Sequence, residues 1–123
     1  MLIAGCGWQG FVYDKQIDGP YRLIAVDVMS QMAVCYSLDG GDAIGRIEET
    51  VFAAGWNKDF IVAKRHPGSN KAITEYYFIT RSSDSTYADP SVSVTGPLSE
   101  EAFNAKKTTL GLPEFSIEIS SLK

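Results

Sequence analysis

The stretch Ile73–Thr80 (ITEYYFIT) carries the clearest strand signal in the chain. β-branched and aromatic side chains dominate it, and these suit a pleated, half-buried surface. Alternation puts Tyr77 on one face with Ile73 and Ile79, hence in the core, and Tyr76 and Phe78 on the other. Four apolar runs precede it: Tyr21–Val28, Met32–Leu38, a segment around Arg46–Phe52, and Phe60–Lys64. The last is apolar enough to be central in a sheet. The turns between them fall at Met29-Ser30-Gln31, Asp39-Gly40-Gly41-Asp42 and Gly55-Trp56-Asn57-Lys58-Asp59. The glycine pair accepts positive φ without steric cost. His66-Pro67-Gly68-Ser69-Asn70 breaks the fourth run. Phe11–Pro20 reads as an irregular lead-in ending in the turn signal Asp18-Gly19-Pro20. Ser82–Ser91 reads as a polar loop, followed by a short strand at Val92–Val94.

A helix follows. Ser99 has the hydroxyl an N-cap needs, and Glu100 and Glu101 suit the positive end of the helix dipole. Phe103 and Leu110 are spaced to share a face, Lys106 and Lys107 sit in the last turns, and Gly111 and Pro113 stop the helix. Phe115–Ile119 (FSIEI) alternates, with Phe115, Ile117 and Ile119 facing one way. The expected class is α+β: an antiparallel meander of about five to seven strands with one C-terminal helix packed on it. Residues 1–20 form an N-terminal segment and 21–123 a single domain.

The chain of 123 residues is long enough to bury one core without metals or disulfide staples. Its 45% hydrophobic and 21% charged residues place it outside the disordered range. The net charge of −4 disfavours nucleic acid, which needs a basic surface to displace counterions.

The N-terminus carries the sharpest functional hint. Met1-Leu2-Ile3-Ala4-Gly5-Cys6 is a short apolar run, two small residues and a cysteine, which is how a bacterial lipoprotein signal ends. A lipid on Cys6 would hold the domain at a membrane surface. The basic n-region and most of the apolar h-region are missing. Either the natural start lies upstream, or the stretch is a short strand that mimics the pattern. No apolar run approaches the roughly 20 residues of a membrane span, so attachment would be through lipid. Cys35 lies in an apolar strand and reads as a buried core residue. It could pair with Cys6 in an exported protein, but lipidation of Cys6 would leave it a free thiol. No cysteine–histidine cluster supports a metal site, and no cofactor motif occurs.

Other candidates offer contact rather than chemistry. Trp56 brackets a turn and could anchor a partner, or close over the sheet end. Lys64-Arg65-His66 is a basic cluster that could dock an anionic partner, or be a solvated strand end. His66, the only histidine, has no nucleophile or orienting acid at a recognisable spacing. Tyr76 and Phe78 would form an exposed aromatic face if the sheet is covered on one side only, which would mark a binding surface. A second sheet layer would account for them equally.

Val51–Arg65 (VFAAGWNKDFIVAKR), the strand Tyr76-Tyr77-Phe78-Ile79, and Gly96-Pro97-Leu98-Ser99 leading to Phe103 and Lys106-Lys107 together resemble a small bacterial family of uncharacterised lipoprotein-like proteins, a domain of unknown function. In that pattern Gly96-Pro97-Leu98 is a turn into the helix. The resemblance implies a lipid-anchored envelope domain and no known activity. The expected function is a non-enzymatic envelope domain that binds a protein partner, an immunity or exclusion factor being one version. The alternatives are a cytosolic inhibitor or interaction module without lipid, and a small enzyme or ligand-binding domain with His66, Lys64 and Tyr76 near a pocket.

Overall fold

The computed structural model describes residues 11–123, so the expectations for Cys6 and its flanks lie outside the described residues. The α+β class and the antiparallel pairing hold, with the strands divided between two sheets. The first has the order β1-β2-β3-β4: Tyr13–Asp18, Tyr21–Ala25, Ala33–Ser37 and Ala43–Ile47. The second has the order β8-β7-β6-β5-β9, with β5 at Val51–Trp56, β6 at Phe60–Arg65, β7 at Glu75–Thr80, β8 at Val94–Leu98 and β9 at Ile117–Glu118. β6 is central, as its apolar run predicts.

Gly55 and Trp56, expected in a turn, end β5, the last strand is confined to Ile117–Glu118, and three further segments differ from the sequence reading. The expected lead-in contains β1 (YDKQID), which pairs with β2 from Tyr13↔Ala25 to Asp18↔Tyr21. Its side chains are mostly polar because it is an edge strand, and Ile17 alone in it is fully buried. Such a strand is held by its backbone ladder, so it shows no apolar alternation. The single strand expected at Arg46–Phe52 is two strands, β4 and β5, in different sheets. Glu48-Glu49-Thr50 carries the chain across. Thr50 anchors the crossing with its hydroxyl donating to the Ser30 carbonyl at 2.6 Å and its backbone N–H to the His66 carbonyl at 3.1 Å. Ile47 and Val51 flank the crossing and are both buried, so the apolar run looks continuous. Finally, Val92 and Ser93 belong to a short helix, α1 (Pro90–Ser93), capped by Asp89 accepting from the Ser91 N–H. β8 begins only at Val94 and runs through Gly96-Pro97-Leu98, which is therefore not a turn. Proline is tolerated there because β8 is an edge strand.

Between the sheets, Leu23, Ala25, Val34 and Ile47 of the first meet Ala53, Ile61, Ala63 and Ile79 of the second in one core. Tyr77 packs against it, as its face predicts, but Ile73, expected in the same strand and on the same face, precedes β7 and is 46% exposed. The opposite face of the second sheet lies under α2 (Glu100–Leu110). There Phe103 meets Val62, Phe78 and Leu112, with Tyr76 and Phe115 at the margin. Ser99 caps α2 by accepting from the Ala102 N–H, and Gly111 ends it at φ 74°. Leu110 is exposed instead of sharing the Phe103 face. The left-handed turn at Gly111 brings Leu112 into that face in its place. No helix among the described residues is long and apolar enough to cross a membrane.

Candidate functional site

Lys64 and Arg65 are neighbours in β6, so they point to opposite faces of the sheet. The expected basic cluster is thereby split. Lys64 turns toward the helix-covered face, where its Nζ lies 4.8 Å from the Phe115 ring centre, 5.6 Å from Phe52 and 5.7 Å from Tyr76. Cation–π attraction holds its charge within the domain. Arg65 sits on the other face, opposite Glu75 in the ladder, with Nε 3.2 Å from the Glu75 carboxylate and Nη1 3.7 Å from that of Glu48. Its guanidinium covers the Tyr77 ring, whose hydroxyl donates to Glu75 at 3.0 Å. Burial pushes the Tyr77 phenol up to about 12; the Glu75 hydrogen bond adds to this and Arg65 opposes it.

His66 is buried and stacked on Phe52, with ring centres 4.2 Å apart and planes at 13°. Its Nδ1 lies 2.9 Å from the Ile73 carbonyl, which can only accept, so Nδ1 carries the proton. Nε2 is buried with no hydrogen-bond partner among the described residues. The polar atoms in bonding range are that carbonyl and the Thr74 hydroxyl at 3.4 Å. Carboxylate and activated hydroxyl, the partners a general base needs, are not at the ring among the described residues.

Phe78 is buried beneath α2, in edge-to-face contact with Phe60 at 5.8 Å, and so offers no contact surface. Tyr76 packs on Phe103 at 5.2 Å, and burial, then the nearby Glu100 carboxylate, raise its phenol above the usual value. The aromatic face expected to be open is thus covered by the helix. Trp56 ends β5 with 39% of its surface exposed. Cys35 is buried, as expected, and is disulfide-bonded rather than a free thiol. Among the described residues no group of His, Cys, Asp or Glu is arranged to hold a metal ion.

A polar cluster that sequence reasoning missed lies at the other end of the core. Arg46 of β4 and Asp84 of the long loop after β7 form an ion pair at 3.1 Å, with side chains 1% and 0% exposed. The Tyr21 hydroxyl donates to Asp84 at 2.8 Å, and Arg46 Nη2 donates to the Ser85 carbonyl at 2.9 Å. Burial and Asp84 together raise the Tyr21 phenol well above its ordinary value. Arg81 adds an ion pair to Asp18 at 2.8 Å and covers the Tyr21 ring. One signal was available, since an arginine at a core position of an apolar strand needs a buried partner. These bonds staple the loop to the first sheet. Beyond the staple the loop turns outward, leaving Tyr87 95% and Val92 69% exposed.

A cleft of about 780 Å³ opens between the sheets, bounded by β4, the Glu48-Glu49 crossing, Arg65, Tyr77 and the Gly96-Pro97 part of β8. Of the candidate site residues Trp56, Lys64, Arg65, His66, Tyr76 and Phe78, Arg65 alone lines it. Lys64, His66 and Tyr76 do not converge on it.

A family model described as Protein of unknown function (DUF3997) matches residues 19–123. No curated protein and no solved structure matches the chain. The match spans every strand from β2 onward, both helices, the stapled loop and the cleft, and it carries no statement about lipid. The chain therefore belongs to this family of unknown function.

Proposed function

We propose that the domain is a non-enzymatic recognition module of the bacterial envelope that binds a protein partner, as an immunity or exclusion factor would. The observation that carries this reading is the stapled loop. A buried ion pair fixes its base, while Tyr87 and Val92 project into solvent. Tyrosine gives a large contact area at low entropic cost, and a loop already held in place loses little freedom on binding. The environment of His66 supports recognition over catalysis.

The oxidised state of Cys35 supports an exported location, because disulfides persist in oxidising compartments. It also bears on the anchor. A bridge closed within one chain would take both cysteines of the sequence, Cys6 and Cys35, and leave none for lipid. A bridge to Cys6 and a lipid on Cys6 are therefore mutually exclusive fates of that residue. Palmitate labelling of wild type and Cys6→Ala separates the two fates. Incorporation lost in the variant would establish the anchor; no incorporation, with thiols that resist alkylation until reduced, would establish the bridge.

The partner reading is tested with a photo-crosslinking amino acid at position 87 in producing cells, compared with one at exposed Lys58. A discrete protein adduct specific to position 87 is expected. Equal or absent adducts at both positions would remove the reading.

A further inference from the structure

Gly45, Arg46 and Ile47 are consecutive, yet all three line the same cleft. Successive residues of a strand point to opposite faces. A bulge at Arg46 sets Gly45 opposite Cys35 and Ile47 opposite its neighbour Val34, so Gly45 and Ile47 lie on opposite faces and a cleft touching both reaches the edge of the strand. Among the described residues β4 is the last strand of its sheet and pairs with β3 alone. Among the described residues nothing else bonds to its backbone N–H and C=O groups, apart from the Arg46 side chain on the Gly45 carbonyl. The other edge strand at the cleft, β8, has Pro97 there and so lacks a donor.

The charge around this edge is one-sided. Asp27, Glu48 and Glu49 line the cleft with Arg46 and Arg65. The Arg46 guanidinium is neutralised by Asp84, and that of Arg65 by Glu75. Glu48 reaches Arg65 only at 3.7 Å and is 87% exposed, while Asp27 and Glu49 make no ion pair among the described residues. The carboxylates are therefore in excess, and a cleft with low-dielectric walls focuses their field. Val26, Ile47 and Tyr77 add apolar wall between the charges.

We propose that this cleft binds an extended, basic segment of a partner protein, which adds as a strand to the free edge of β4 and sets its lysine or arginine side chains against Asp27, Glu48 and Glu49. Backbone pairing supplies the register, and alternate side chains meet carboxylate and apolar wall, as in other strand-addition complexes. The inference rests on reading the domain as a recognition module. If position 87 crosslinks to a partner while β4 stays untouched in the experiment below, the recognition role stands and the cleft assignment falls.

The probe is the peptide acetyl-Lys-Val-Lys-Val-Lys-Val-amide, titrated into the full chain and followed by NMR at the amides of Gly45, Arg46 and Ile47. Saturable shifts at these amides are expected, with none from the matching Glu-Val peptide. Glu48→Gln together with Glu49→Gln should weaken binding at least fivefold; both positions are exposed, so the fold should tolerate the change. Successive residues of a strand direct their N–H groups to opposite edges, so those of the Val residues share one edge and those of the Lys residues the other. Of two further peptides, N-methylated at every Val or at every Lys, one should therefore bind and the other fail. Equal behaviour of that pair would overturn the proposal, as would spermine shifting the same amides with equal affinity, since strand pairing would then play no part.

Discussion

Arg46 and Asp84 stand 38 residues apart in sequence and 3.1 Å apart in space, sealed from water on both sides. Removing one partner strands a charge in the interior, which typically costs about 3–5 kcal/mol. Asp84→Ala should lose that much stability in urea unfolding, because it also orphans the Tyr21 hydroxyl. Arg46→Met with Asp84→Leu should cost clearly less than the sum of the single changes. Additive losses in that cycle would mean that the two groups do not act as a pair. Asp84→Ala should also free the loop and reduce crosslinking at position 87.

The two apolar positions of α2 should separate sharply. Phe103 is 1% exposed between Tyr76 and Phe115, whereas Leu110 is 41% exposed at the helix end. Phe103→Ala should cost about 3–5 kcal/mol, the usual range for a buried aromatic. Leu110→Ala should stay within about 0.5 kcal/mol of wild type, as most surface changes do. Chemical denaturation of both variants checks the assignment of the buried face.

Gly55 lies in β5 where the C-terminal segment passes over the strand, and a methyl group there would overlap the Glu114 backbone carbonyl. Gly55→Ala should destabilise by about 1–3 kcal/mol through overpacking. Gly45→Ala is the control. No atom lies within 4 Å of its added carbon and its φ is ordinary, so it should be neutral or slightly stabilising. A shift in the urea midpoint for Gly55→Ala alone would locate the close approach.

Stability should fall at alkaline pH. An unfolded tyrosine loses its proton near pH 10, by the usual value of about 10. Tyr77 in the fold holds its proton up to about 12, and burial and Asp84 raise Tyr21 well above its ordinary value too. Between these limits the unfolded chain binds fewer protons than the native one, so stability falls as pH rises. Thermal midpoints measured from pH 9 to pH 12 should drop through this window, and Tyr77→Phe should flatten the drop. A midpoint unchanged through that window would contradict the buried state of both phenols.

Helix α2 was legible in the chain because its signals are local. Ser99 caps it and Gly111 stops it with groups a few residues away. β6 and β7 were legible because alternating or continuous apolar residues record burial directly. The polar edge strand β1 was not, because its backbone ladder with β2 leaves no mark on side-chain pattern. Nor was the division of the Arg46–Phe52 run, since Ile47 and Val51 are equally buried in two different sheets.

The same limit applies to the site. Local side-chain chemistry determined the antiparallel α+β class, the turns, the helix and its caps. The sequence also made plain that Lys64, Arg65 and His66 are neighbours along the chain. Only the tertiary structure decided that Lys64 lies among aromatic rings, that Arg65 points the opposite way to Glu75, and that His66 is sealed against Phe52. It alone joined Arg46 to Asp84 and left Tyr87 outside. Capping and alternation act over a few residues and are written in order along the chain, whereas ion pairing, coverage of a sheet face and exposure of a loop depend on which distant segments meet.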